Sequence, residues 1–319
     1  MLDAPARDLL VRAGVLRRPG DRALLMALAG DEGKPAIDRL RTTALLTEIR
    51  EPKTGGGWTS SYEVHPIVRE LAERRSDRTE ALRREGHRRT GDHLELEART
   101  SPSWQNILDG AYHLRQVGEA DRAYDLLEPL AKELLERGRV LDARAVLAEI
   151  GDPASLHPSR AAWFSTFHGD AAVAYGDLAQ ALTAHTASLA IAERLAAADP
   201  SNLSWQLFLS ARHFNVGDVL ALQGQLDAAL DAYTESLAIA ERLAKADPGN
   251  ASCQRDLFVS YSKLGLIEEQ KGSPASYYSN AEKIIRELAR LDPTNAQWQQ
   301  DLAWIEVRLA AASASEASS

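Results

Sequence analysis

Residues 236–250 read SLAIAERLAKADPGN, and residues 188–202, 48 positions earlier, read SLAIAERLAAADPSN. A more diverged copy, AEKIIRELARLDPTN, occupies residues 281–295. Self-similarity at a fixed period marks a stacked array, in which each unit hides its apolar face on its neighbours and none can bury it alone. In and just before the stretch, Ala229, Tyr233, Ser236, Ala240 and Leu243 fall on one side of a helix. Small residues there let neighbouring helices approach, and large ones fill the gaps between them. Asp-Pro ends each copy, because proline cannot continue a helix, and Asn202, Asn250 and Asn295 are suited to cap the helix that follows.

Around this stretch, Val216-Gly217-Asp218, Gly224-Gln225-Leu226, Ala229, Tyr233 and Ser236 recur as Gly169-Asp170, Gly176, Leu178, Ala181, His185 and Ser188. They recur again as Leu264-Gly265, Gly272, Tyr278 and Ala281, after a three-residue deletion. The spacing resembles the tetratricopeptide (TPR) repeat. That resemblance implies a mainly α protein, a right-handed solenoid of antiparallel helix pairs whose first helices line a concave groove. The period of 48 residues exceeds the usual ~34, and apolar spacing continues through the extra residues, so each helix is expected to be about two turns longer. Trp205, Cys253 and Trp298 stand at equivalent positions, which makes Cys253 a packing residue rather than a nucleophile.

By this register the groove is expected to present Trp163, Thr166, Phe167 and Asp170, then Phe214, Asn215, Asp218 and Ala221, then Ser262, Lys263, Leu266 and Glu269. A well-known TPR ligand class is the C-terminal carboxylate of chaperones, held by a clamp of Lys, Asn and Arg. Only Asn215 and Lys263 resemble that clamp, and Asp170 and Asp218 would repel a carboxylate, so a basic or mixed apolar peptide is the expected ligand. Residues 101–150 carry a degenerate set of such helices: one from Trp104 to Val117, one over 123–128, one opened by Pro129 and ending at Gly138, and one over 140–150. The regular array is expected over residues 159–312. It closes on a helix from Trp298 with Leu302 and Trp304 inward, and a small polar tail at 313–319 reads as disordered.

The first hundred residues have a different character. Apolar residues recur at helical spacing over 6–13 and 22–29 on either side of the Arg18-Pro19-Gly20 break, and a third helix is predicted from Pro35 to Leu46 with Ile37, Leu40 and Ala44 on one face. The period then changes to alternation in Thr47-Glu48-Ile49-Arg50 and Tyr62-Glu63-Val64 around Lys53-Thr54-Gly55-Gly56-Gly57, which predicts a β-hairpin with a glycine-rich tip. Pro66 then opens a helix at its favoured first position. Three helices, a hairpin and a further helix compose a winged-helix domain over residues 1–76. The segments RRPGDRALLMALAG and ALLTE…GGGWTSSYEVHPIVRELAERR resemble the winged-helix segment of STAND-type, NB-ARC-like regulatory ATPases. In that family a histidine before the post-wing helix senses the ADP phosphates of an adjacent nucleotide-binding domain, and His65 is the matching position. No nucleotide-binding domain precedes it in this sequence, so the role would require an ATPase domain supplied upstream or in trans; otherwise His65 is a helix-entry residue beside Pro66. The glycines at 55–57 are no substitute, since a phosphate-binding loop requires a lysine and hydroxyl after its glycines.

Residues 77–100 read as a charged connecting helix whose Arg and Glu/Asp alternate at three- and four-residue spacing, a solvated face laced with ion pairs. His87 and His93 have no thiolate or carboxylate grouping that would suggest a metal. Residues 1–99 hold 19 Lys/Arg against 17 Asp/Glu, and the remainder 18 against 29. So acidic a repeat region is a poor binder of nucleic-acid phosphate. Lys34, Arg39, Arg41 and Lys53 could serve a winged-helix DNA reader, although Asp31, Glu32, Asp38 and Glu48 stand among them. No apolar run approaches a membrane span, the N-terminus lacks a signal-peptide pattern, and a lone Cys253 fits a reducing cytosol.

No paired carboxylates, Cys/His or Ser/His arrangement, or metal cluster stands out, so no enzyme activity and no cofactor are expected. The sequence therefore points to a cytoplasmic, non-catalytic protein–protein interaction module, the sensor end of a STAND-like signalling regulator. The alternative is a winged-helix DNA-binding regulator with a TPR sensor. A third reading, an inactive fragment of a larger ATPase, depends on what lies upstream.

Overall fold

The computed structural model describes residues 2–52, 58–66, 77–270 and 274–316, and the chain divides into two compact units, residues 1–157 and 158–319. The predicted hairpin tip at 53–57 and most of the helix expected after Pro66 lie outside the described residues.

The first unit begins with three helices, α1 (Ala4–Ala13), α2 (Arg22–Ala29) and α3 (Gly33–Thr42). Asp3 and Asp21 cap the first two, each accepting a backbone N–H of the first turn, at 3.0 Å from Ala6 and 2.7 Å from Leu24. The short β1 (Gly20–Asp21), β2 (Leu46–Pro52) and β3 (Trp58–Val64) form an antiparallel sheet in the order β1-β3-β2, with Leu46 opposite Val64 and Pro52 opposite Trp58. Leu9, Leu25, Leu28, Ile37 and Leu40 from the helices meet Leu46, Tyr62 and Val64 from the sheet in one core. The third helix is shorter than the sequence suggested: it stops at Thr42 because Ala44 takes a left-handed turn (φ 56°) and Leu45 N–H returns to the Leu40 carbonyl. Ala44 is therefore not on the helical face assigned to it.

Helix α4 (Asp77–Thr100) is more than a solvated connector. Thr90, Leu94 and Ala98 are buried, and its ion pairs reach across helices, Glu85 to Arg12 (3.0 Å) and Asp92 to Arg122 (2.7 Å). Close approach is possible because a Cβ on Gly86 would sit 2.6 Å from the Arg12 carbonyl oxygen, and one on Gly91 would sit 2.9 Å from Leu114. Three helices follow, α5 (Trp104–Gln116), α6 (Ala120–Glu136) and α7 (Val140–Ala148). Pro129 does not start a new helix but lies inside α6, whose buried face of Leu127, Leu130, Ala131 and Leu134 continues through it.

The second unit is a TPR-like stack of helix pairs: α8 (Pro158–Tyr175) with α9 (Leu178–Ala198), α10 (Leu203–Leu222) with α11 (Leu226–Ala246), and α12 (Ala251–Glu269) with α13 (Ala275–Leu291). Helix α14 (Ala296–Glu316) closes it, running past the point where composition suggested a tail. Within this unit consecutive helices pack on one another. The extra length of the period lies in the helices, 18 to 21 residues long in the first two pairs. Asn202, Asn250 and Asn295 cap α10, α12 and α14, accepting from Trp205, Cys253 and Trp298 N–H at 3.2–3.3 Å. Cys253 is 1% exposed against Leu243 and Ala244, and burial raises its thiol pKa, with Asp256 and Asp247 adding to the effect. In α14 Ile305 is fully buried and Leu302 packs against the same core as expected, whereas Trp304 stays exposed beside Tyr278.

One contact recurs in every pair. A Cβ built on Gly169 would lie 2.5 Å from the His185 ring, on Gly217 2.8 Å from Tyr233, and on Gly265 2.4 Å from Tyr278. Each ring lies directly on the backbone of the first helix, where only glycine leaves room. Gly217→Val is therefore expected to destabilise the chain by about 1–3 kcal/mol through overpacking, measured by urea denaturation. Gly249→Val, at a position where nothing but Asp247 lies nearby at 3.8 Å, serves as the comparison and is expected to change stability less.

Candidate functional site: a groove across the repeat helices

The same ring contacts carry polar tips into a groove. Tyr233, held against Gly217, donates its hydroxyl to Asp218 Oδ1 at 2.5 Å, and Lys263 Nζ, from the first helix of the next pair, donates to the same oxygen at 2.7 Å. One pair further on, Tyr278 donates to Glu269 Oε2 at 2.8 Å and Arg308 on α14 donates to it at 2.7 Å. Burial, reinforced by the acceptor carboxylates, pushes both tyrosine pKa values above their ordinary value, so both remain hydroxyl donors. Lys263 also lies over the Phe214 ring, 5.1 Å from its centroid, and Phe214 in turn meets Tyr233 at 5.6 Å.

Tyr233, Asp218, Lys263, Glu269 and Arg308 border a cavity of about 800 Å³. Seven of the residues expected from the register line it: Asp170, Asn215, Asp218, Ala221, Lys263, Leu266 and Glu269. Val173, Ala174, Val219 and Ile267 add apolar wall. The other five lie elsewhere. Trp163 meets Phe167 in a tilted pair at 6.4 Å and Phe208 at 5.1 Å, Phe214 sits under Lys263, and Ser262 is buried with its hydroxyl donated to the Phe258 carbonyl at 2.8 Å. Thr166, also expected in the groove, is buried and exchanges a hydrogen bond with Ser188 at 2.9 Å.

The sequence did not assign His185, Tyr233 or Arg308 to the groove. The two rings were assigned to packing, which they also do, and the closing helix had been read only as a cap. At the Asp170 end, His185 is 2% exposed with its Nδ1 unpartnered, and burial, helped by Arg212, pushes its pKa down to about 4. Arg212 is itself 5% exposed, stacked between Phe208 (4.5 Å) and Trp163 (5.2 Å) and donating to Thr166 Oγ1. Burial lowers its pKa to about 10.

In the first unit, His65 is exposed and its backbone N–H donates to the Leu45 carbonyl at 3.2 Å. Of the basic side chains considered for DNA, Arg41 binds Glu48 at 2.6 Å, a carboxylate that Arg50 also reaches at 3.2 Å, and Lys53 lies outside the described residues. A histidine pair escaped the sequence reading altogether. His87 on α4 and His113 on α5 are 26 positions apart, yet their Nδ1 atoms lie 2.9 Å apart. Among the described residues, no group of three or more His, Cys, Asp or Glu side chains is arranged to hold a metal ion, and no helix is long and apolar enough to cross a membrane.

No family model matches the chain, and no curated protein matches it. Partial likenesses occur among solved structures. BtubC (BKLC) from P. vanneervenii is 12% identical with a TM-score of 0.43, covering 73% of this chain and 83% of its own. The MamA protein is 18% identical with a TM-score of 0.38, covering 64% of this chain and 96% of its own. A STAND protein with a tetratricopeptide repeat sensor from Pyrococcus horikoshii is 16% identical with a TM-score of 0.33; it covers 96% of this chain, which spans 60% of its length.

Burial holds the pKa of His87 down to about 4, with Arg83 adding to the effect, and that of His113 down to about 3, with His87 and then Arg17 adding to it. The unfolded chain, titrating near 6.5, then binds protons that the folded chain does not. Stability is expected to be full above pH ~6.5 and to fall as the pH drops toward 4. In a His113→Gln variant that part of the fall is expected to shrink, as followed by urea midpoints across pH.

Proposed function

We propose that the chain is a non-catalytic protein-interaction module that holds a peptide or protein segment along the groove of its TPR-like repeats. The supporting observation is the cavity itself: one space of about 800 Å³ bordered by the first helices of successive pairs, with apolar wall between discrete charged groups. A concave, mostly apolar surface with a few fixed polar groups suits recognition of an extended segment, the apolar area giving affinity and the charges giving register. Asp218 and Glu269 already have cations from Lys263 and Arg308, so the groove offers mixed rather than uniformly acidic chemistry. That favours a basic or mixed apolar ligand.

The larger setting in this reading is a cytoplasmic STAND-like signalling regulator, with the repeats as its sensor. Its support is the sequence resemblance over the first 75 or so residues, together with the three helices and small antiparallel sheet of the first unit, which suit a winged-helix domain of residues 1–76. The helix at 77–100 and the helices over 101–150 then join that domain to the repeats. His65 would read nucleotide only with an ATPase domain supplied upstream or in trans. The pairing of Arg41 and Arg50 with Glu48 weighs against the DNA-binding alternative.

Panning a phage-displayed dodecapeptide library on the full chain tests the groove. Peptides enriched in apolar and basic residues are expected, and Leu266→Asp is expected to weaken their binding by about tenfold or more while the chain still unfolds cooperatively. Recovery of acidic C-terminal peptides, or binding indifferent to Leu266→Asp, would remove this reading.

A further inference from the structure

The 48-residue register aligns Asp170 with Asp218, His185 with Tyr233, and Asn215 with Lys263. At Asp218 the set is complete: a tyrosine hydroxyl from its own pair and a lysine from the next both bind the carboxylate. At Asp170 both partners have been exchanged. The ring beside it is His185, with Nε2 at 3.6 Å, and the next pair supplies an amide, Asn215, where the lysine would be. Among the described residues Asp170 makes no hydrogen bond, and its side chain is 50% exposed at one end of the cavity.

The surrounding charges do not neutralise it by contact. His185 is uncharged at neutral pH, since burial and Arg212 hold its pKa near 4. Burial by the groove walls raises the Asp170 carboxyl pKa, outweighing Arg212, the one cation among the described residues that lowers it and one that forms no ion pair with it. A carboxylate in this position gains from an added cation, because a charge-assisted hydrogen bond replaces a desolvated and unshared charge.

We infer that Asp170 anchors a lysine side chain of the bound segment, whose ammonium takes at Asp170 the place that Lys263 takes at Asp218. The inference rests on the groove-binding reading and names the chemistry of one point in it. Asn215 is then the residue that keeps the place open: an internal lysine there would fill it. The apolar wall of Val173 and Ala174 beside it suits the methylene stem of the incoming lysine.

The full chain labelled with carbon-13 at its aspartate carboxyls provides the test, with Nα-acetyl-lysine methylamide as the probe and its norleucine analogue as the uncharged control. The lysine compound is expected to shift the Asp170 resonance saturably, lower its pKa, and leave Asp218 unmoved, while the norleucine compound does neither. Asn215→Lys is expected to abolish the response and to raise the melting temperature, a gain that disappears when Asp170→Asn is added. An unmoved Asp170, equal shifts at both aspartates, or equal shifts with both compounds overturns the inference. Peptides panned on the groove separate the two readings. If they bind but tolerate replacement of every lysine by norleucine, the anchor fails and the groove stands. If none binds, the groove reading fails and the small-probe titration still decides Asp170.

Discussion

The second unit depends on the missing Cβ of three glycines. Gly169, Gly217 and Gly265 sit where the rings of His185, Tyr233 and Tyr278 rest on the first helix of each pair. That contact fixes how closely the two helices approach. It also fixes where the ring ends: one residue beyond the glycine in the second pair, with the hydroxyl of Tyr233 against Asp218. Packing and polar chemistry in the groove are therefore consequences of one steric condition. A side chain at Gly217 would displace the ring and, with it, the hydroxyl that holds Asp218 in line with Lys263.

The charges along the groove follow from this arrangement. Asp218 and Glu269 are each reached by a ring from their own pair and by a cation from the helix that opens the next layer, so those layers are tied to one another through the groove as well as through their cores. Such half-exposed pairs add little stability individually. Their effect is to fix side-chain positions on a surface that would otherwise be mobile. Against that background the exchange at Asp170, histidine for tyrosine and asparagine for lysine, changes one end of the groove without altering the backbone beneath it. The first unit uses the same device for a different end: Gly86 and Gly91 bring α4 against α1 and α5, where their side chains would otherwise collide.

Much of this was legible from residues 236–250 and their copies. The period gives the helix pairs, the Asp-Pro stops and asparagine caps give their ends, and the alignment of glycines and rings gives the face of each helix. Seven of the groove residues could be placed because a helix of known register has only one face turned from its partner. Tyr233 and His185 could not, since a residue that packs and a residue that reaches the groove leave the same mark in a sequence. Trp163, Phe167, Phe214 and Ser262 show the converse, since sharing a helix with the groove does not put a side chain in it. The length of α3 was misjudged because Ala44 adopts a left-handed conformation with no glycine to announce it. The burial of Thr90, Leu94 and Ala98 was hidden by the dense charge around them, and the His87–His113 contact joins two helices with no shared motif.

The central claim is that the groove, rather than the repeated outer helices, carries recognition. Methyl-detected NMR of the full chain, titrated with one of the panned peptides, measures this directly. The account predicts shifts concentrated on Val173, Val219, Leu266 and Ile267, the methyl-bearing wall of the cavity. Shifts concentrated instead on Ile191 and Ile239 of the second helices, or on Ile37 and Leu40 in the first unit, would contradict it.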